Sequence, residues 1–299
     1  MAAAPLPFAL RTYRAVHPDD GELRRHDGYW SVTTPANPSF FWGNFLQFDR
    51  PPIAGDAQRW PALFARHVAA RQPLSTHVAL CWEADAEGEV AEFAAAGYQV
   101  LDHVVMTADT LRPAPEPAGG ARLRRLDGDA DWQALVGIML RNREPEFSAE
   151  GYEAYARPRV AQWRAASAAG AAGDGAFVGA FVDTPEGEVL AASLGLFAER
   201  APGPDGLTLA RFQEVETDAR FRRRGLCSAL LALAPQVLDA ASPRRRIDRL
   251  VIVTEASGPA RSVYAARGFE VRARLGCLQH HGPVPAARSP GPESTGTAI

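Results

Sequence analysis

The chain of 299 residues contains no lysine, so all 32 of its basic charges are arginine. Codon usage in a GC-rich genome explains that better than any function does, and the excess of alanine, proline and glycine points the same way. Cysteine is scarce as well, at positions 81, 227 and 277 and never as Cys-x-x-Cys. That excludes a disulfide framework, argues against a zinc site and fits a reducing cytoplasm. No apolar run approaches the ~20 residues that span a bilayer. The opening MAAAPLPFALRTYRA lacks a basic leader, and Pro5, Pro7 and Arg11 interrupt its apolar run, so no signal peptide is expected. A formal net charge of −3 leaves no general attraction to nucleic acid or anionic lipid. Neither is expected as a partner, and any phosphate site must be local.

What is present is ordinary globular composition, 46% hydrophobic and 22% charged, in a chain long enough for about two domains. RPAPEPAGG at 112–120 has the composition of a linker, and the Pro, Ser and Gly of 281–299 that of a disordered tail. This divides the chain into domains at 1–111 and 121–280. In the second, hydrophobic periodicity and turn residues predict the order β α α β β β α β α β. Two of its strands form a hairpin over 175–197, a helix starts after Gly225, and Pro235 is expected to kink or shorten that helix. ALCWEADAEGEVAEFAAAGYQV at 79–100 and LVIVTEASGPARSVYAARGFEV at 250–271 share an apolar strand, an acidic end, an Ala-rich helix and a Gly-aromatic exit. They indicate two related domains in tandem, the first heavily altered.

The most informative stretch is FRRRGLCSALL at 221–231. A strand, a glycine turn and a helix bring the free N–H groups of a first helical turn together on an anion. Gly225 lets the backbone come close to a diphosphate, and Cys227 and Ser228 are small. Arg222, Arg223 and Arg224 add positive charge. Taken alone, so short a glycine motif also describes a solvated basic turn.

With its preceding strand, FQEVETDARFRRRGLCSALL resembles the acetyl-CoA-binding segment of the GNAT superfamily of N-acetyltransferases, matching at Val215, Thr217, Arg222, Gly225 and Leu226. Ala219 stands where proline is usual, and Cys227 where glycine or alanine is. ASGPARSVYAARGFE at 256–270 resembles the family's closing motif at Ala260, Tyr264, Gly268 and Phe269, with Ser257 in place of asparagine. The resemblance covers about 121–280. It implies a mixed-sheet α/β fold, the GNAT-like acyl-CoA N-acyltransferase fold, in two tandem copies of which the first is degenerate.

The resemblance further implies acetyl-CoA as co-substrate, an amine as acceptor, and no metal. The cofactor contacts it implies are the strand amides of Val215, Glu216 and Thr217, the loop Arg222, Arg223, Arg224, Gly225, Leu226, Cys227 and Ser228, and Ser257 and Tyr264. Tyr264 is the implied general acid. Glu214 and Glu216, which strand alternation puts on one face, are the candidate bases, Glu214 first because Glu216 is expected within a bulge. The first domain has Phe93 at the place of Tyr264 and no Arg-x-x-Gly-x-small turn, so it should neither bind acetyl-CoA nor catalyse. Its run NPSFFWGNFLQFD at 37–49 is a bulged core strand in the simpler reading, and in the sharper one brings Phe41, Trp42 and Asn44 to an acceptor pocket between the domains. His280 and His281 fall in the tail with no third ligand at metal spacing. The competing function is a non-catalytic acyl-CoA-binding sensor or interaction protein. The acceptor, the acyl chain and the oligomeric state are not legible.

Overall fold

The computed structural model describes residues 6–16, 22–72, 74–145, 147–168, 175–241 and 246–282. Its first half runs α1 (Phe8–Val16), β1 (Glu22–His26), β2 (Tyr29–Thr33), a 3₁₀ turn (Phe41–Gly43), β3 (Phe45–Phe48), α2 (Asp56–Phe64) continuing into a π turn (Ala65–Ala69), β4 (His77–Glu83), α3 (Ala91–Ala95) and β5 (Gln99–Ala108). The second runs β6 (Arg122–Arg125), α4 (Gly128–Asn142), α5 (Ala149–Ala166), β7 (Gly175–Thr184), β8 (Gly187–Ala198), β9 (Leu209–Thr217), a 3₁₀ turn (Ala219–Phe221), α6 (Leu226–Ala241), β10 (Arg249–Glu255), α7 (Pro259–Ala266) and β11 (Glu270–His281). The second half has the order read from the sequence. Among the described residues, no helix is long and apolar enough to cross a membrane.

All eleven strands join one mixed sheet in the order β1-β2-β3-β4-β11-β5-β10-β9-β8-β7-β6. Each half gives its last strand to the other: β5 lies antiparallel on β10, β11 antiparallel on β4, and the two pair with each other. The exchange is tightly fitted. Gly276 of β11 stands opposite Trp82 of β4, and a Cβ there would come 2.2 Å from the indole. Cys277 and Cys81, distant in sequence, are register partners and both are free thiols. His280 and His281 are not in a tail: they end β11 opposite Val78 and His77, because the exchanged strand runs the full length of β4. Residues 283–299 lie outside the described residues.

GAFVGAFV of β7 is apolar without alternation because both faces of its strand are covered. Ala176, Val178 and Ala180 join a core with Leu230, Leu231 and Ala234 of α6, while Phe177 and Phe181 join Trp132, Leu135 and Trp163 of α4 and α5. Helix boundaries follow their caps. Asp127 accepts from Gly128 N at 2.9 Å ahead of α4, and Ser148 Oγ from Gly151 N at 3.0 Å ahead of α5. Helix α6 continues through Pro235 to Ala241 and is not shortened. The lost backbone bond is outweighed by the burial of Leu231, Ala234 and Leu238 around it.

Helix α1 belongs to the first half yet packs on β8 and β9. Arg11 pairs with Glu199 at 2.7 Å and Asp205 at 2.9 Å, and Glu83 accepts from Ala9 N at 2.8 Å at the helix start. Residues 112–120, linker-like in composition, are held on the second half, with Arg112 N donating to Arg267 O and Ala118 N to Arg224 O, both at 2.9 Å.

Candidate active site

The site begins where two parallel strands part. β9 and β10 pair only over Leu209–Arg211 and Arg249–Val251, and no ladder joins them beyond. The edge of β9 that faces β10 is therefore free from Phe212 onward. On its other edge β9 carries a bulge: Gln213 lies opposite Gly195 and Glu216 opposite Ser193, so β9 has one residue more than β8 in that interval. Glu214 sits at the bulge with φ +50°. This corrects two expectations. The bulge falls at Glu214 and Val215, short of Glu216, and the extra residue breaks the alternation that was to put both carboxylates on one face. Glu216 lines a cleft beside β10, where Asn142 Nδ2 donates to it at 2.5 Å, and Glu214 lines a different cavity.

The cleft, of about 360 Å³, is lined by Val215, Glu216, Thr217, the loop from Phe221 to Ser228, and Pro259, Ala260, Val263 and Tyr264 of α7. Asp218 shapes the approach, its carboxylate accepting from Arg220 N and Nε and from Arg141 Nε, each at 3.0 Å. Those bonds, Arg220's first, hold its pKa down to about 2. Arg223 (φ +62°) and Gly225 (φ +78°) both take the left-handed conformation, which turns the backbone around the loop. Ala229 N is the first α6 amide to reach back, to Gly225 O at 3.0 Å, so the N–H groups of Leu226, Cys227 and Ser228 precede the helical ladder. Arg222, Arg223 and Arg224 are exposed and form no salt bridge among the described residues. Tyr264 is buried and meets Phe269 edge-on.

Eleven of the twelve residues expected to hold the cofactor therefore line one cleft. Ser257 does not: it is exposed in the turn before α7, outside the lining. Asn142 and Val263 also line the cleft and were not foreseen. Asn142 is the last residue of α4, and nothing local marks it as facing β9.

A second cavity, of about 490 Å³, lies between the halves. Leu10, Tyr13, Phe40, Trp42, Phe45 and Gln47 wall it from the first half, and Tyr155, Arg211, Glu214 and Glu255 from the second. It shares Val215, Pro259, Ala260 and Tyr264 with the cleft. Of the three aromatic-run residues expected here, only Trp42 lines it. Phe41 stacks on His77, ring centroids 4.0 Å apart. Asn44 is fully buried and spends its amide internally, accepting from Thr34 N and Gln72 Nε2 and donating to Asn37 O and Phe40 O, at 2.9–3.0 Å. The run is a 3₁₀ turn followed by the short strand β3, and not one bulged strand, because Phe40 folds over Gly43, where a Cβ would come 2.1 Å from its ring. Helix α1, which supplies Leu10 and Tyr13, carried no signal beyond the absence of a leader.

Burial sets the protonation states. It pushes Glu214 up to about 8, with the neighbouring Glu216 adding to the rise and Arg159 opposing it. Glu216 is raised by burial, while the Asn142 amide and Arg222 restrain it. The Tyr264 phenol is raised by burial first, then by Cys227 and Glu216, so it keeps its proton at neutral pH. Burial likewise lifts Cys227 to about 11, which leaves it a thiol and a poor nucleophile.

No protein-family model matches this chain, and no curated protein matches it in sequence. Solved structures do resemble it. A functionally unknown conserved protein from Staphylococcus epidermidis aligns with a TM-score of 0.58 at 8% identity, over 88% of this chain and 95% of its own. A GCN5-related N-acetyltransferase from Kribbella flavida aligns at 0.54 and 12% identity, over 93% and 97%. A tandem GNAT protein from the clavulanic acid biosynthesis pathway aligns at 0.48 and 16% identity, over 88% and 84%. The fold is that of the GNAT acetyltransferases, and it extends over both halves.

Proposed function

We propose that this chain is an N-acetyltransferase that moves an acetyl group from acetyl-CoA to an amine by direct attack on the thioester. The observation that carries this reading is the junction of two cavities at Val215 and Tyr264. One ends on an arginine-rich loop and a helix N-terminus; the other holds a buried carboxyl. The residues of the cleft fit the cofactor: a left-handed glycine, unladdered amides and three arginines that form no salt bridge among the described residues are the donor set a diphosphate requires. Bound there, acetyl-CoA would supply an activated acyl thioester.

The chain's own groups divide the remaining work. The free edge of β9 at Val215–Thr217 would orient the acyl carbonyl and stabilise its developing negative charge. Glu214 would take the proton of the attacking amine as the C–N bond forms, its raised pKa suiting it to exchange a proton near neutral pH. Tyr264 would donate its hydroxyl proton to the departing sulfur as the C–S bond breaks. A covalent relay through Cys227 is disfavoured because that thiol stays protonated.

In this reading residues 1–111 form a silent half that walls the acceptor cavity, 112–120 connect, and 121–280 carry the transferase, with the last strands exchanged. The test is the melting temperature with acetyl-CoA, parent beside Gly225→Asp, followed by CoA release with an amine panel. Ligand at about 100 times its dissociation constant should stabilise the parent by about 2.7 kcal/mol and leave the variant unmoved. Equal shifts would remove the loop from the site. Binding by the parent with no CoA released from any amine would favour an acyl-CoA sensor.

A further inference from the structure

Several arginines of this protein that leave the surface are matched by an acid, as Arg11 is by Glu199 and Asp205, and Arg124 by Asp131. Arg211 is not. It lies on β9 where the strand leaves β10, opposite Val251, and its side chain lines the cavity between the halves. Its Nη1 donates to Ala9 O at 3.3 Å, its Nε has no hydrogen-bond partner, and it forms no ion pair among the described residues. The charged and titratable groups that interact with it are Tyr13, Arg159 and His103, none of which is a carboxylate. Burial lowers its pKa only to about 10, so it remains a cation at neutral pH. A desolvated cation without a counter-ion is costly for a fold to keep.

Two neighbours in the cavity wall share its character. Gln47 Nε2 and His103 Nδ1 are buried nitrogens without a hydrogen-bond partner among the described residues, and both residues line the same cavity. The acid Glu214 stands three residues further along β9 and lines the same cavity, so the two residues are about 10 Å apart or less along the strand backbone. The rest of the wall is mainly apolar and aromatic, with Leu10, Tyr13, Phe40, Trp42, Phe45 and Ile252, and it includes one further carboxyl, Glu255.

We propose that the acceptor is an amine that also carries a carboxylate on an apolar or aromatic body, with its amine directed to Glu214 and its carboxylate to Arg211. This rests on the transferase reading and adds a substrate class to it. The anion of the acceptor provides the counter-charge that the fold withholds from Arg211, and a guanidinium offers the paired donors that a carboxylate takes. The product is the N-acetylated acid, formed with release of free CoA thiol.

The experiment uses the full chain and two amino carboxylates of different span, phenylalanine and glycylphenylalanine, each beside its carboxamide, with 2-phenylethylamine as the bare amine. Binding is measured by calorimetry and transfer by CoA release. At least one carboxylate should bind, and be acetylated with a kcat/KM at least tenfold above that of its carboxamide, and Arg211→Met should bring that ratio close to one. Equal or better use of the carboxamides and the bare amine, no binding of either carboxylate, or a ratio that persists in a folded Arg211→Met variant would overturn the proposal. If that variant does not fold, the ligand series on the parent decides alone. Carboxylate binding that depends on Arg211, with no CoA released from any amine, would keep the anion site and sink the transferase reading. CoA release from uncharged amines with no carboxylate preference would do the reverse.

Discussion

The strand pairs β3–β4 and β9–β10 occupy corresponding places in the two halves, and they differ in what lies between strand and helix. β9 and β10 part after three paired residues and leave a cleft. β3 and β4 stay paired from Leu46–Leu80 to Phe48–Trp82, where β3 ends. The space next to them is packed with aromatics: Trp60 of α2 stacks on Phe48 with centroids 3.6 Å apart, and Trp82, Phe93 and Tyr98 complete the cluster. Where the second half turns into α6 with Arg223, Arg224 and Gly225, the first turns into α2 with Gly55, also left-handed at φ +85°, followed by Asp56. Asp56 accepts from Ile53 N at 3.0 Å and pairs with Arg50 at 2.6 Å, so a carboxylate occupies the turn that would otherwise receive an anion. In the first half, aromatic side chains and the Asp56 carboxylate fill the place that the cleft takes in the second, and Phe93 in the position of Tyr264 is only its most legible sign.

Four substitutions break or sharpen the contrast. Trp60→Ala should cost about 3–5 kcal/mol of stability, read by denaturant unfolding, because it empties the packed counterpart of the cleft; it should confer no second acetyl-CoA site by calorimetry. Gly225→Asp should weaken acetyl-CoA binding by about 100-fold or more, since it forces a side chain into φ +78° and sets an anion in the loop, the arrangement the first half already has at Asp56. Tyr264→Phe makes the second half resemble the first at that position and should lower kcat by roughly 100-fold with the acetyl-CoA dissociation constant unchanged. The reciprocal Phe93→Tyr should leave kcat alone and cost about 1–3 kcal/mol, because it buries a hydroxyl in an apolar cluster.

The pH profile separates the halves in another way, since the first has no counterpart of Glu214. With a pKa raised to about 8, kcat/KM should rise with pH and level off above that value. The same shift has an opposite effect on stability. The folded state holds this proton up to about 8 and the unfolded chain releases it near 4.5, so the contribution is complete below 4.5 and is lost as pH rises through about 8. Glu214→Gln should therefore abolish the pH-dependent rise in turnover and melt higher than the parent at pH 8.5, with the difference closing at pH 4.

Much of the second half was legible because its signals are local. The periodicities of 128–142 and 175–197, the Ser148 cap and the glycine loop each depend on residues within one or two turns of each other, and the repeat itself was visible as two copies of a strand, helix and exit. The candidate cleft was legible to the same degree: the loop from Arg222 to Ser228 and Tyr264 lie in short motifs, and the structure lines one cleft with both. Three positions that the sequence places differently depend on a partner from elsewhere. Asn44 belongs to a buried amide network with Gln72, Phe41 to a stack on His77, and Glu214 to a bulge that exists only against β8.

The sequence by itself determined the elements, their order and the glycine turn that leads into α6, because backbone propensity, capping and short-range spacing act through neighbouring residues. Only the tertiary structure decided that β5 and β11 change places, that Cys81 faces Cys277, that α1 walls the cavity between the halves, and that Arg211 lines it with no ion pair among the described residues. Those pairings join segments up to two hundred residues apart, and they are chosen by burial and strand register across the whole sheet, to which no local stretch of sequence has access.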